Sequence, residues 1–352
     1  MTLENKRKIC ADQIINQYSD KVAGHYDRVL KSLASNEYEG LKILVFQPVS
    51  AGDIIVSSLC GELFQIKYPG CTVDYMVDPC CKVAKQILET NPFINNVIIE
   101  GDWNKYQRRD TLETGEIKEK YDIAYSLYWW DMPMVESYLK DLELPTDYTR
   151  VKIYVSEEND QIAKELWHDL QHNDTFISYN ICLQSDMNTK WDGNYKQLLR
   201  ALEDFGPVIE IGRKERSLGL DAALLQNADF FVGPHSGLEH LAAAVGCQCV
   251  VLSDIRPPEC ASVASYQNKY LSKDRQHITI RPVDWCGDYK RCLCWNPNEF
   301  MHKLPPHGFP NHFPCHVARP CDYKNFKTSC VHEISVELII ENVKKAIELR
   351  NS

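Results

Sequence analysis

Residues 41–78 read LKILVFQPVSAGDIIVSSLCGELFQIKYPGCTVDYMVD. The run LKILVFQP is short, continuous and apolar, as expected of a strand that is buried on both faces. A turn, VSAGD, precedes a helical stretch that ends at Pro69 and Gly70, and the strand-like run TVDYMVD follows. A strand, a helix and a second strand in this order predict one βαβ unit of a parallel sheet.

The same alternation continues along the chain, interrupted by a connecting segment at residues 150–170, RVKIYVSEENDQIAKELWHDL. In that segment Ser156 is expected to cap a helix whose first turn is acidic. Before it we expect a helix in KVAKQILET and strands in NNVIIEG and YDIAYSLYW. After it we expect strands in FISYNICLQ, PVIEIG, ADFFVG and CQCVVLSD, alternating with helices in YKQLLRALEDFG, LDAALLQNA and LEHLAAAVG. Two consecutive runs predict an α/β protein with two doubly wound, Rossmann-like domains facing a central cleft.

The remaining parts of the chain lack this alternation. Apolar residues recur every three or four positions in residues 1–38, which predicts a helical arm packed on the main body. Residues 255–332 have no clear period and are rich in Pro, Cys, His and aromatic residues. The chain ends in an amphipathic pattern, ISVELIIENVKKAIELR. We therefore predict a helical arm at 1–38, domains at 39–150 and 151–332, a Cys-rich segment at 286–330 and a C-terminal helix at 333–352.

Composition excludes several classes of protein. The 352 residues are 44% hydrophobic and 25% charged, which is typical of a globular protein and excludes wholesale disorder. The net charge of −10 argues against broad binding of nucleic acid or anionic membranes. No run approaches the roughly 20 apolar residues of a membrane span. The N-terminus lacks the apolar core of a signal peptide, so we expect a cytoplasmic protein.

Fifteen cysteines are far more than an ordinary cytosolic enzyme contains. Nine are scattered, mostly in apolar contexts where a thiol behaves as a small buried hydrophobe. Six fall in one segment: Cys286, Cys292, Cys294, Cys315, Cys321 and Cys330. The thiolates of Cys292, Cys294, Cys315, Cys321 and Cys330 suit a structural zinc or iron ion. Free thiols and disulfides are the alternatives, because the spacing lacks a CxxC pair.

Two loops follow predicted strands and open predicted helices, where open α/β sheets bind ligands. In the first, Gly52 allows a tight turn and the carboxylate of Asp53 could accept a proton from an attacking hydroxyl. The alternative is that Asp53 is simply the helix N-cap. In the second, the loop at His235, Ser236 and Gly237 directs backbone N–H groups toward a ligand and suits phosphate.

Three further basic residues are candidates for the same ligand. His240 lies one turn into the helix after the second loop, where a packed or capping role is the alternative. Lys190 follows the strand FISYNICLQ, and Arg213 follows PVIEIG. Either could neutralise a diphosphate, although surface lysines and arginines are common. Lys190, Arg213 and the Ser236–Gly237 loop all belong to strand ends of one predicted domain, which favours a negatively charged nucleotide as the ligand.

These residues carry a family resemblance, which covers residues 41–348 in patches and in the correct order. Gly52-Asp53, with the following helix to Tyr68-Pro69-Gly70, resembles the opening of the ADP-heptose-dependent heptosyltransferases of glycosyltransferase family 9. The interdomain connection at Val151 to Leu166 is also similar. Further similar stretches are Lys190-Trp191, Ala228 to Gly233, Ser236-Gly237, His240 to Ala244, Pro320-Cys321 and Cys330.

The resemblance implies a GT-B fold and inverting, metal-independent transfer from a nucleotide-diphosphate sugar, with the donor in the C-terminal domain. It implies that Asp53 is the general base and that Lys190 neutralises the diphosphate. The family often has Asp and Thr where this chain has His235 and Ser236, so the resemblance leaves open a sugar or base other than that of ADP-heptose. The longer Cys/His-rich insert resembles the autotransporter heptosyltransferases, which modify proteins and bear a Cys-bound iron.

Several functions remain open at this point. The leading hypothesis is an inverting glycosyltransferase of the heptosyltransferase type. A second is a GT-B enzyme with another donor and a protein or nucleobase acceptor. A third is a non-catalytic nucleotide-sugar-binding scaffold. The acceptor could be a glycan, a protein or, less in keeping with the acidic charge, a nucleic acid, and a homo-oligomer is compatible with the sequence.

Overall fold

The computed structural model describes residues 35–47, 50–100, 115–127, 134–144, 150–171, 179–185, 194–253, 262–281 and 334–352. These residues form two compact units. The first takes its described residues from Met1–Ile162, Ser217–Gln226 and Ala243–Gly246, and the second from Ala163–Arg216, Asn227–Ala242 and Cys247–Ser352.

The first unit contains a parallel sheet of four strands in the order β3-β2-β1-β4. Its strands are β1 Lys42–Gln47, β2 Thr72–Val77, β3 Asn96–Ile99 and β4 Ile123–Ser126. Its helices are α1 Ala51–Ser57, α2 Cys60–Lys67, α3 Lys85–Leu88, α4 Gly115–Lys120, α5 Met134–Asp141 and α8 Leu218–Gln226, with a 3-10 helix at Pro79–Ala84. Helix α6, Glu157–Gln171, crosses the boundary after Ile162.

The predicted βαβ unit is confirmed, with β1 and β2 parallel and in register from Lys42–Thr72 to Gln47–Val77. The single helix predicted between them is wrong, since it is divided into α1 and α2. The hydroxyls of Ser57 and Ser58 donate to the carbonyls of Asp53 and Ile55, both at 2.7 Å. Such side-chain bonds compete with the helical backbone at the break.

The second unit contains a parallel sheet of five strands in the order β6-β5-β7-β8-β9. Its strands are β5 Ile181–Gln184, β6 Val208–Ile211, β7 Phe230–Pro234, β8 Gln248–Leu252 and β9 Ile278–Ile280. Its helices are α7 Tyr195–Glu203, α9 Gly237–Ala244, α10 Val263–Gln267 and α11 Val336–Asn351, with 3-10 helices at Asn268–Tyr270 and Lys273–Arg275. Strand β9 lies in the segment where the sequence showed no period.

The C-terminal helix α11 is an integral part of the second unit. Ile339, Val343 and Ala346 are fully buried in the cluster that contains the strand residues Leu183 and Val232. Burial of an aliphatic side chain of this kind stabilises the fold by about 1.5–3 kcal/mol. The predicted helix therefore completes the core of this unit.

Two of the predicted segments lie wholly or largely outside the described residues. Residues 1–34 of the arm lie outside the described residues, and residues 35–38 are irregular or turn rather than helical. The Cys-rich segment 286–330 also lies outside them.

Within the described ranges, none of the helices has the length and apolar character needed to cross a membrane.

Candidate functional site

The strand orders define one switch point in each sheet. In the first unit the chain builds outward from β1 to β3 and then places β4 on the other side of β1. In the second unit β5 is flanked by β6 on one side and β7 on the other. Ligands of doubly wound sheets bind outside the carboxyl ends of strands at such points. The loops after β1 and β7 are the two loops that the sequence indicates.

Asp53 lies in the first turn of α1, just beyond the carboxyl end of β1. The N-cap of this helix is Ser50, whose Oγ accepts from the backbone N–H of Asp53 at 3.3 Å. Interpreting Asp53 itself as the N-cap is therefore wrong. Gly52 is buried inside the helix rather than in a turn before it. Because Ser50 supplies the cap, the carboxylate of Asp53 is not needed for capping.

Two hydroxyls hold the carboxylate of Asp53 from opposite sides. Ser50 Oγ donates to Oδ2 at 2.5 Å, and the hydroxyl of Tyr138 on α5 donates to Oδ1 at 3.0 Å. Nε2 of Gln47, the last residue of β1, donates to the Tyr138 oxygen at 3.0 Å. Since that oxygen accepts from Gln47, its own proton is directed at Asp53. The chain Gln47–Tyr138–Asp53 thus joins the carboxyl end of β1 to α5 and α1.

Tyr138 is a permanent donor in this arrangement. Burial, the negative charge of Asp53 and the hydrogen bond to it hold the pKa of Tyr138 well above its usual value. The phenol therefore stays protonated at physiological pH. An ionised carboxylate has about four lone-pair positions, so two donors orient Asp53 and leave it able to accept a substrate proton.

The second loop is built in a similar way at the β5/β7 switch point. Ser236 Oγ donates to Oε1 of Gln184, the last residue of β5, at 2.8 Å. Ser236 Oγ also accepts from the backbone N–H of Glu239 at 3.4 Å, as the side chain of a helix cap does. Ser236 thereby joins the carboxyl end of β5 to the start of α9, whose N-terminus has the partial positive charge that favours an anion.

Behind this loop lies a buried charged cluster of His235, Glu239 and His240. Glu239 is fully buried, and its Oε1 accepts from Ser262 Oγ and from the backbone N–H of Ala264, both at 2.8 Å. Its Oε2 lies 2.8 Å from Nδ1 of His240 and 3.8 Å from Nε2 of His235. His240 is 4% exposed, as the packed alternative expects, and its contact with a bound ligand stays a prediction.

The environment of Glu239 keeps it ionised. Burial alone would raise its pKa, but the neighbouring His240 and His235 and the hydrogen bond from the Ala264 amide together lower it to about 2. Glu239 is therefore ionised directly behind the predicted anion-binding loop.

Of the two residues predicted to neutralise a diphosphate, the structure describes only Arg213. Lys190 lies outside the described residues. Arg213 follows β6, as predicted, and its Nη2 makes an ion pair with Oε2 of Glu210. A phosphate would have to compete with this carboxylate for the guanidinium, which is half exposed and has further donors.

Comparisons with known proteins give a result at the level of fold. No protein-family model matches the sequence, and no curated protein matches it. Among solved structures, a glycosyl transferase family 9 protein from Veillonella parvula superposes with a TM-score of 0.57 at 15% identity, covering 89% of this chain and 98% of that one. The Escherichia coli ADP-heptose lps heptosyltransferase II gives 0.57 at 17% identity, covering 89% and 100%. This chain has the fold of glycosyltransferase family 9.

A third similar structure adds a metalloprotein to the glycosyltransferase family 9 neighbours. The iron-containing, dodecameric heptosyltransferase TibC, in complex with ADP-D-beta-D-heptose, superposes with a TM-score of 0.53 at 15% identity, covering 88% of this chain and 77% of TibC.

The predicted metal ligands Cys292, Cys294, Cys315, Cys321 and Cys330 lie outside the described residues. The described cysteines are free thiols: Cys60, Cys71, Cys80, Cys81, Cys182, Cys247 and Cys249, all buried except Cys80. They agree with the predicted interior population.

Gly212 brings the end of β6 against the first turn of α9. Its φ is +78°, and a Cβ there would lie 2.5 Å from Cδ1 of Leu238 in the first turn of α9. Gly212→Ala is expected to destabilise the fold by about 1–2 kcal/mol through backbone strain, with up to about 1 kcal/mol more because the end of the Leu238 side chain must move. The measurement is chemical denaturation.

The matched control is Gly40→Ala, because Gly40 has φ +93° with nothing within 4 Å of the added Cβ. It should cost only about 1–2 kcal/mol from strain alone. Equal losses for the two variants would contradict the contact with Leu238.

Sequence reasoning missed Gln47, Gln184, Tyr138 and Glu239. The sequence could have indicated Gln47 and Gln184, since β1 and β5 are apolar runs that each end in a buried glutamine. Glu239 also carried a signal, as a lone acid in the apolar helix LEHLAAAV. Tyr138 had none, because its contact with Asp53 joins residues 85 positions apart.

Proposed function

We propose that this protein is an inverting glycosyltransferase that uses a nucleotide-diphosphate sugar. The proposal rests on one arrangement of two features. The carboxylate of Asp53, which accepts hydrogen bonds from Ser50 and Tyr138, lies at one switch point. The capped N-terminus of α9, at Ser236 and Gly237, lies at the other. A base and an anion site are the two requirements of transfer from such a donor. The glycosyltransferase family 9 fold supports the same chemistry.

The first unit would serve the acceptor. A hydroxyl of the acceptor gives its proton to the Asp53 carboxylate while its oxygen forms a bond to the anomeric carbon of the sugar. The bond from that carbon to the phosphate oxygen breaks on the opposite face, so the configuration inverts. The nucleoside diphosphate leaves with the bonding electrons. Ser50 and Tyr138 keep the carboxylate oriented during this step.

The second unit would serve the donor. Negative charge grows on the departing diphosphate, and the N-terminus of α9 at Ser236 and Gly237 favours that charge. Lys190 and Arg213 would supply the positive charge, so we propose that the reacting atoms need no metal ion. His235 stands where related proteins often have Asp, which leaves the sugar and base to be identified by a screen. We further propose that the cysteine segment binds a structural zinc or iron ion.

A thermal-shift screen of nucleotide-diphosphate sugars, including ADP-heptose, tests donor binding. A true donor at about 100 times its dissociation constant should stabilise the protein by ~2.7 kcal/mol. Lys190→Ala should weaken binding about 10- to 100-fold, because a hydrogen bond to a charged group contributes about 1.5–3 kcal/mol. The shift at the same donor concentration should shrink accordingly.

The control is Lys196→Ala on the exposed face of α7, which should respond as the wild type does. The absence of any shift with every nucleotide-diphosphate sugar would contradict the proposed function. An equal response of the Lys190 and Lys196 variants would remove Lys190 from the donor site.

A further inference from the structure

We propose that His235, Glu239 and His240 form a binding site for one divalent transition-metal ion of the zinc and iron class. This cluster lies directly behind the Ser236–Gly237 loop. The inference goes beyond the proposed function and concerns nitrogen and oxygen ligands, not the cysteine segment. The ion would be structural, tying the end of β7 to the first turn of α9.

The distances within the cluster suit a common ion. The candidate ligand atoms of the three side chains all lie within 4.8 Å of one another. Oε2 of Glu239 is 2.8 Å from Nδ1 of His240 and 3.8 Å from Nε2 of His235. Zinc binds imidazole nitrogen and carboxylate oxygen at about 2.0–2.2 Å, so tetrahedral ligand atoms stand about 3.4 Å apart. Small side-chain adjustments would bring all three onto one ion.

Two buried polar atoms in the cluster point to this ligand. Within the described part of the chain, neither Oε2 of Glu239 nor Nδ1 of His240 makes a hydrogen bond. They are 2.8 Å apart, but their alignment does not satisfy hydrogen-bond geometry. Both side chains are at least nine-tenths buried. A buried carboxylate oxygen without a donor is costly unless a cation compensates its charge.

The three side chains are a ligand set that metal ions commonly use. Two imidazoles and one carboxylate bind zinc and related ions in many proteins. The other carboxylate oxygen is already oriented by Ser262 and Ala264, as metal-binding carboxylates usually are.

The test is titration of the full chain, stripped of metal, with Co²⁺, followed by visible absorption and metal analysis. The wild type should bind one Co²⁺ in a site with d–d bands and no thiolate charge-transfer band. Glu239→Gln, which keeps an acceptor for Ser262 and Ala264, should weaken this binding at least about tenfold. His235→Ala should do the same, and since His235 lies at the surface end of the cluster, it provides a second variant if the first fails to fold.

Two controls separate this site from others. His168→Ala removes an exposed histidine of α6 and should leave the Co²⁺ titration unchanged. Replacing Cys292 and Cys294 together by serine should remove only absorption that has thiolate character. The proposal is overturned if the wild type binds no Co²⁺ outside thiolate sites, or if Glu239→Gln and His235→Ala both bind it as tightly as the wild type. These results leave the nucleotide-sugar screen unaffected, so the two proposals can fail separately.

Discussion

Asp53→Asn should lower the turnover of sugar transfer by about 10²–10⁴-fold, which is the usual contribution of general-base catalysis. The amide has nearly the shape of the carboxylate, and its oxygen can still accept from Tyr138. It has no basic oxygen for the acceptor proton, however. Donor affinity should be unchanged, because the proposed anion-binding loop at Ser236 and Gly237 belongs to the second unit. Initial rates and calorimetric donor binding together give the comparison.

Two variants calibrate that result. Asp122→Asn changes an exposed carboxylate that accepts from the backbone N–H of Lys42, at the amino end of β1, and should leave turnover unchanged. Tyr138→Phe removes the donor to Oδ1 of Asp53 and should lower turnover about tenfold through misorientation of the base. A Asp53→Asn enzyme with wild-type turnover would eliminate Asp53 as the base.

Glu239→Ala should destabilise the fold by about 3–5 kcal/mol, the usual effect of removing one partner from a buried ionic group. The substitution leaves the Ala264 N–H and the Ser262 hydroxyl without their acceptor and removes the carboxylate beside His235 and His240. Chemical denaturation at pH 7 is the measurement. Glu203→Ala on the exposed face of α7 is the control, and it should remain within about 0.5 kcal/mol of wild type. A loss below about 1 kcal/mol for Glu239→Ala would contradict a buried, ionised carboxylate.

The same residue should give the fold an acid-sensitive component. The folded-state pKa of Glu239 is about 2, below its ordinary value of 4.5. Its contribution to stability is therefore complete above pH 4.5 and is lost as the pH falls toward 2. Thermal melts of the wild type should lose more stability across this window than melts of Glu239→Gln, which cannot titrate. Parallel curves for the two proteins would contradict the lowered pKa.

The sequence predicts the sheets well because parallel strands are short apolar runs bounded by turns, as in β1, β2 and β7. It also places Asp53 and Ser236 just after strands β1 and β7, where doubly wound folds bind ligands. Strand β9 could not be predicted, since only three residues of an irregular segment pair with β8. The division between α1 and α2 depends on serine hydroxyls that bond locally rather than on apolar spacing.

The site was harder to predict than the fold for a physical reason. The partners of Asp53 and Glu239 come from distant elements, such as α5 and the residues before α10, and only tertiary packing brings them together. Sequence reasoning looked for a metal among the cysteines, where thiolates are plentiful. The described residues place a different candidate at His235, Glu239 and His240, whose spacing of four and five positions is ordinary in any helix.

The decisive measurement is the release of nucleoside diphosphate by the full chain from whichever nucleotide-diphosphate sugar stabilises it in the thermal screen. We predict release of many equivalents per chain by the wild type, at least about 100-fold faster than by Asp53→Asn. A donor that binds tightly but is released intact, at the same negligible rate by both proteins, would contradict a glycosyltransferase and identify a non-catalytic nucleotide-sugar-binding scaffold.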